Sequence, residues 1–90
     1  MKSDLTNEML EEIHKHSINN KKEIEQSDTC GCFYCKELFV PTEIKEWITD
    51  KSQTAVCPYC KVDSVIGNAS GYEITGALLD EMSKKWFVKQ

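Results

Sequence analysis

The sequence contains no arginine: all eleven of its basic residues are lysines, set against fifteen acids and a formal net charge of −4. Reading guanine in duplex DNA usually relies on the guanidinium fork, and phosphate binding relies on positive charge, so an acidic chain without arginine suits neither well. Glycine is scarce, at four residues, and none of the four sits in a phosphate-cradling loop or a nucleophile elbow. There are two prolines, Pro41 and Pro58, and none follows Cys60. No apolar run approaches the roughly 18 residues that a membrane span needs, and the opening Met-Lys-Ser-Asp turns acidic without the apolar core of a secretory signal. These absences lead to the expectation of a soluble, cytoplasmic chain with no membrane partner, for which nucleic acid is not the expected ligand.

What the sequence does hold is cysteine, five residues in a chain of ninety. A domain this short buries only roughly 60% of its unfolded surface, so its apolar core needs a staple, and in a cytosolic chain cysteines point to metal before disulfides. Cys32-Phe-Tyr-Cys35 and Cys57-Pro-Tyr-Cys60 form two Cys-x-x-Cys pairs with 21 residues between them, the spacing of a four-cysteine zinc site. A two-residue gap lets one tight turn aim both sulfurs at one ion. Two such turns complete a closed tetrahedron with no position for water or substrate, so one structural Zn2+ is expected on Cys32, Cys35, Cys57 and Cys60. Four bound thiolates would move the formal charge to about −6. Cys30, two residues before Cys32, leaves the first ligand open between them, although knuckle spacing favours Cys32. Cys30 is then a neighbouring thiol, buried or reactive. His14 and His16, two apart on a helix, point in different directions and read as surface histidines.

Cys57-Pro58-Tyr59-Cys60 is also the active-site motif of glutaredoxins. The likeness is local: a thioredoxin-like domain needs several βα units and a proline loop after its motif, and only thirty residues without proline follow Cys60. Carboxylates such as Glu43, Glu46 and Asp63 have no sequence partner that builds a catalytic site. The expectation is a protein that is not an enzyme.

The remaining segments read as a mixed α+β fold. Residues 3–26 have helical spacing through Leu5, Met9, Leu10 and Ile13, with Ser3 or Asp4 as cap, a break or a projection into solvent around Ser17 to Asn20, and a far end that packs weakly. This gives an N-terminal helical arm over 1–29 and a zinc-ribbon-like or treble-clef-like domain over 30–90. Within that domain Thr42, Ile44, Trp47 and Ile48 predict a short helix started by Pro41, and Thr54 to Ile66 predicts a hairpin turned around the metal. Residues 67–71 read as a loop. Thr75 caps a final helix whose stripe is Leu78, Leu79, Met82 and Trp86, with Ile74 and Leu79 as a hydrophobic staple. Phe33, Phe39, Trp47, Trp86 and Phe87 are expected in the core; Tyr59 and Tyr72 are the aromatics expected at a partner surface or packed beside the zinc.

As a set, Cys32-Phe-Tyr-Cys35, Glu43-Ile-Lys-Glu-Trp-Ile48, Cys57-Pro-Tyr-Cys60, Asp63-Ser-Val-Ile-Gly67, Ser70-Gly-Tyr72 and Trp86-Phe87 resemble a group of small, uncharacterised bacterial cytoplasmic proteins. The resemblance covers residues 30–87 and implies fold and compartment but no activity. More broadly, the paired knuckles resemble zinc ribbons, a class whose fold does not fix function.

Three roles follow as expectations. The first is a non-enzymatic protein-interaction module, such as an acidic inhibitor or immunity-type binder of a basic effector, acting through Glu8, Glu11, Glu12, Glu23 and Glu25. The second is a zinc-ribbon nucleic-acid binder using Lys36, Lys45, Lys51 and Lys61. The third is a thiol or zinc redox sensor using Cys30. The partner's identity and the oligomeric state are not legible in the sequence.

Overall fold

The computed structural model describes residues 6–49 and 53–87. Helix α1 (Asn7–His14) starts at Thr6, whose hydroxyl accepts the Met9 N–H at 3.1 Å, so the cap falls at Thr6; Ser3 and Asp4 lie outside the described residues. Leu10 and Ile13 are its buried stripe. The helix tightens into a 3₁₀ turn at Lys15–Ser17 and stops there. The Ser17 hydroxyl bonds back to the His14 carbonyl at 2.7 Å, a local competitor of helix continuation, and Asn19 then adopts φ 54°. Of the two alternatives around Ser17 to Asn20, the structure shows the break and not a projection into solvent.

Beyond the break the chain does not pack weakly, and that expectation is corrected. Helix α2 (Lys21–Glu25) buries Ile24 completely. Just before it, the buried Asn20 amide donates to the carbonyls of His16 and Val65, each at 2.9 Å, and accepts the Ala55 N–H at 3.0 Å. One side chain thus ties the N-terminal segment to two strands. Its polarity had suggested solvent, but burial with every bond made is equally allowed.

Three short strands, β1 (Cys30–Cys32), β2 (Leu38–Phe39) and β5 (Val65–Gly67), form an antiparallel sheet in the order β2-β1-β5. Gly31 lies opposite Ile66, and Cys32 opposite Val65. Every residue of β1 and β5 is buried, because both faces of this sheet are covered. Alternation sends Gly31 and Ile66 to one face, where Leu10 and Ile13 of α1, Phe33 of the first cysteine turn, and Ile74, Leu78, Leu79 and Met82 at and within the helix over Gly76–Trp86 pack. It sends Cys30, Cys32 and Val65 to the other, with Ile24, Phe39, Ile44, Ala55 and Cys57. Gly31 has no side chain for a packing reason: a Cβ there would stand 2.7 Å from Leu79 Cδ1 and 3.0 Å from Ile74 Cγ2.

Helix α3 (Gly76–Trp86) follows its expected design. The Thr75 hydroxyl accepts the Leu78 N–H at 3.1 Å, and Ile74 and Leu79 are buried together over Gly31 as the staple. Leu78, Leu79 and Met82 are buried and Trp86 is half-buried, but Phe87 is 41% exposed, which corrects its placement in the core.

Two further expectations are overturned. The segment after Pro41 makes a single 3₁₀ turn (Pro41–Glu43) and then strand β3 (Glu46–Thr49), not a helix. Ile44, Trp47 and Ile48 fit helical spacing, but a run this short fits both periods, and β3 pairs with β4 (Gln53–Val56) as a two-stranded sheet with Trp47 opposite Ala55. The hairpin expected over Thr54 to Ile66 is also absent, since β4 pairs with β3 and β5 pairs with β1. After β5, Asn68–Ser70 form a 3₁₀ turn ended by Gly71 at φ 99°. No described helix is long and apolar enough to cross a membrane.

Candidate metal centre

The two Cys-x-x-Cys segments are copies of one turn. In the first, the Lys36 N–H donates to the Cys32 carbonyl at 2.7 Å and the Cys32 N–H to the Glu37 carbonyl at 3.1 Å. In the second, the Lys61 N–H donates to the Cys57 carbonyl at 3.0 Å and the Cys57 N–H to the Val62 carbonyl at 2.9 Å. The backbone N–H of Tyr34 points at Cys32 Sγ and that of Tyr59 at Cys57 Sγ, both at 3.3 Å. Each turn closes with a lysine at φ 67°. The signal for this equivalence is present in the sequence as a repeated Cys-x-Tyr-Cys-Lys, although the knuckles alone do not reveal the left-handed lysines.

Strand β1 carries the first turn and β4 leads into the second, and together they bring Cys32, Cys35, Cys57 and Cys60 into one group with all four sulfurs within 4.8 Å of one another. Cys32 Sγ stands 3.6 Å from Cys60 Sγ, and Cys35 Sγ 3.7 Å from Cys57 Sγ. The edge of a tetrahedron with zinc–sulfur bonds of about 2.3 Å is about 3.8 Å, whereas a disulfide is about 2.05 Å. The donor set and spacing therefore fit a tetrahedral ion, with zinc the best match to four soft sulfur ligands in this geometry.

Cys30 stands outside this group, fully buried between Phe39 and Gly67 in its sheet register. Strand geometry explains why. Cys30 and Cys32 share a face of β1, but two residues of strand separate them by about 6.6 Å, so one strand does not aim both at one ion. Of the buried and reactive alternatives, the structure places Cys30 in the buried one: desolvation pushes its thiol up to about 12, away from the reactive thiolate.

The four clustered thiols also sense one another. Burial pushes Cys32 far above its ordinary range, against backbone bonds from Cys35 and Tyr34 and reinforced by Cys57 and Cys60. Burial first, then the neighbouring thiols, pushes Cys35 up to about 11. At Cys57 burial works upward too, but bonds from the N–H groups of Cys60 and Tyr59 and from the thiols of Cys35 and Cys60 outweigh it and hold that thiol below its usual value. Cys57 is thus the sulfur shifted toward ionising, whereas Cys32 and Cys35 resist it. A divalent cation is what allows four thiolates to share so small a volume. Cys32 and Cys57 are buried, and Cys35 and Cys60 form the half-buried edge of the group.

The histidines join no metal group among the described residues. His14 is half-buried and stacks on Trp86 with ring centroids 4.2 Å apart, while His16 Nδ1 lies 3.0 Å from the Glu23 carboxylate. Both are therefore more engaged than free surface residues. Tyr59 is 54% exposed, with its hydroxyl bonded to Glu43, whereas Tyr72 packs half-buried against the helix-side core.

Compared with protein-family models, curated proteins and solved structures, the chain matches none. What stands behind the resemblance read from the motifs is the cysteine cluster itself, in a small mixed fold of helices and two antiparallel sheets.

Proposed function

We propose that the chain is a non-enzymatic, zinc-ribbon-like module in which one structural Zn2+, held by Cys32, Cys35, Cys57 and Cys60, staples a small core that serves as a protein-interaction surface. The observation that carries this reading is the four-sulfur group with separations at the edge length of a zinc tetrahedron. When bound, the ion supplies folding free energy; four protein ligands close its coordination shell, so it is assigned no Lewis-acid role.

The interaction part is supported by the acidic balance and by the exposed apolar side chains Leu38, Val40, Ile48 and Tyr59. The narrower picture of an acidic inhibitor face is less well supported. Glu11, Glu12, Glu23 and Glu25 are engaged by Lys85, Lys15, His16 and Lys21 respectively, which leaves Glu8 as the one of the five with no ion pair among the described residues. The same pairing weakens phosphate binding: Lys36 is held by Asp80 at 2.9 Å and Lys61 lies 3.8 Å from Glu46, while Lys51 is outside the described residues.

Native mass spectrometry of the untagged chain, gently isolated from its own cells, tests both halves. One zinc with a stoichiometric second protein supports the whole reading. One zinc on a lone monomer retains the metal module and counts against a stable partner, and a zinc-free folded chain overturns the staple.

A further inference from the structure

On the helix side of the central sheet an open cavity of about 540 Å³ lies between α1, the first knuckle and the end of α3. This is within the range of small-molecule sites, roughly 300–1,000 Å³. Its apolar walls are aromatic: Phe33, fully buried and carried by the Cys32–Cys35 turn, has ring centroids 6.1 Å from Trp86 and 5.7 Å from Phe87, and His14 stacks on Trp86.

Of the polar side chains on the same cavity, Ser17 donates to the His14 carbonyl, while the exposed Asp63 and the buried Ser64 have no side-chain partner among the described residues. Ser64 lines the cavity and is only 5% exposed, and its hydroxyl makes no hydrogen bond among the described residues. Asp63 takes part in no ion pair among the described residues, whereas the cavity's cation, Lys15, is already 3.6 Å from Glu12. His14 is kept below its usual pKa by burial and so stays neutral near pH 7, adding hydrogen-bonding capacity but no positive charge. Ser64 and His14 share no hydrogen bond, and the nucleophile–base contact of a covalent catalyst is missing between them. The arrangement is one for recognition.

We infer that this cavity binds a small aromatic amine, its ring against Trp86 and Phe87 over the buried Phe33 and its ammonium at Asp63 with Ser64 beside it. Ring faces attract cations and stack on flat apolar surfaces, and an unpaired carboxylate selects the positive headgroup. The inference goes beyond the metal-module reading and leans on it at one point, the knuckle that holds Phe33.

The test is a ¹H–¹⁵N chemical-shift titration of the full zinc-loaded chain with 2-phenylethylamine, 3-phenylpropionate and methylamine, with bound zinc measured on the same sample. The amine that carries a ring is expected to move the signals of Phe33, Ser64 and Phe87 and to bind at least about tenfold more tightly than the acid of similar size. Methylamine is expected to leave them unmoved. In Asp63→Asn the preference between the two ring compounds is expected to collapse with zinc content unchanged. Equal or tighter binding of the acid, or no shift from 2-phenylethylamine at millimolar concentration, overturns the inference. A folded chain that holds no zinc overturns the metal reading instead, and the titration of that folded sample still decides the cavity.

Discussion

Lys36 and Lys61 occupy the same place in the two cysteine turns, each at φ 67°, each donating its N–H to the carbonyl of the cysteine four residues before it. Left-handed backbone costs a residue with a side chain about 1 kcal/mol, and glycine escapes that cost. The turns therefore carry strain at a position where the sequence has no glycine.

Lys61→Gly is expected to raise stability by about 1 kcal/mol, since the ion pair it loses, with Glu46 at 3.8 Å, is exposed and contributes little. Lys36→Gly is expected to gain less, because its 2.9 Å pair with Asp80 ties the first turn to α3. Denaturant melts of both variants at saturating zinc check the order; a loss in Lys61→Gly would show that the turn holds lysine for another reason.

Cys35→Ser and Cys60→Ser are expected to lose zinc and fold, and a strong chelator should do the same to the parent chain. Cys30→Ala is expected to keep one zinc and to cost about 1 kcal/mol for the small void left beside Phe39. Metal analysis with circular dichroism separates the cases. Zinc loss in Cys30→Ala with zinc retained in Cys32→Ser would reverse the assignment of the first ligand.

Asn20→Ala removes the acceptor of the Ala55 N–H and a donor to the Val65 carbonyl in one step. Leaving such buried groups unpaired is expected to cost about 2–3 kcal/mol. Asn20→Asp should not rescue it, because a carboxylate keeps the acceptor for Ala55 but faces the Val65 carbonyl without a proton to give. Equilibrium unfolding that finds either variant within error of the parent would remove Asn20 as the tie between the N-terminal segment and the strands.

His14 supplies a pH dependence. Burial holds its pKa below the ordinary 6.5, with Lys15, Lys85 and Asp63 as the charged groups around the His14–Trp86 stack. Above the unfolded pKa both states are neutral and the full stability is present. As pH falls below about 6.5 the unfolded chain takes the proton first, so stability is lost until the pH has passed the lowered folded value. His14→Phe, which keeps a ring on Trp86, is expected to lose less stability than the parent between pH 7.5 and 5.5 at saturating zinc. An identical loss in the two proteins would mean that His14 does not titrate differently on folding.

What could be read from the sequence is local. The two Cys-x-x-Cys turns, the Thr75 cap with its Ile74 and Leu79 staple, and the halt of the first helix near Ser17 each depend on residues within a few positions of one another, where side-chain chemistry and backbone spacing dictate the outcome. What the sequence could not say is which short segments meet. Glu46–Thr49 was free to be a helix until Gln53–Val56 offered a partner, and β5 pairs with β1, more than thirty residues earlier in the chain. Ile24 and Asn20 look like parts of a polar arm, yet Asn20 finds Ala55 and Val65 at separations of 35 and 45 residues and the core closes over both. Strands of two to four residues hold too little intrinsic preference to choose their own pairing, so tertiary contacts decide it, among them the burial of β1 and β5 on both faces. The cysteines determined that a metal can be gathered; tertiary packing decided that Cys30 turns into the core while Cys32 reaches the other three.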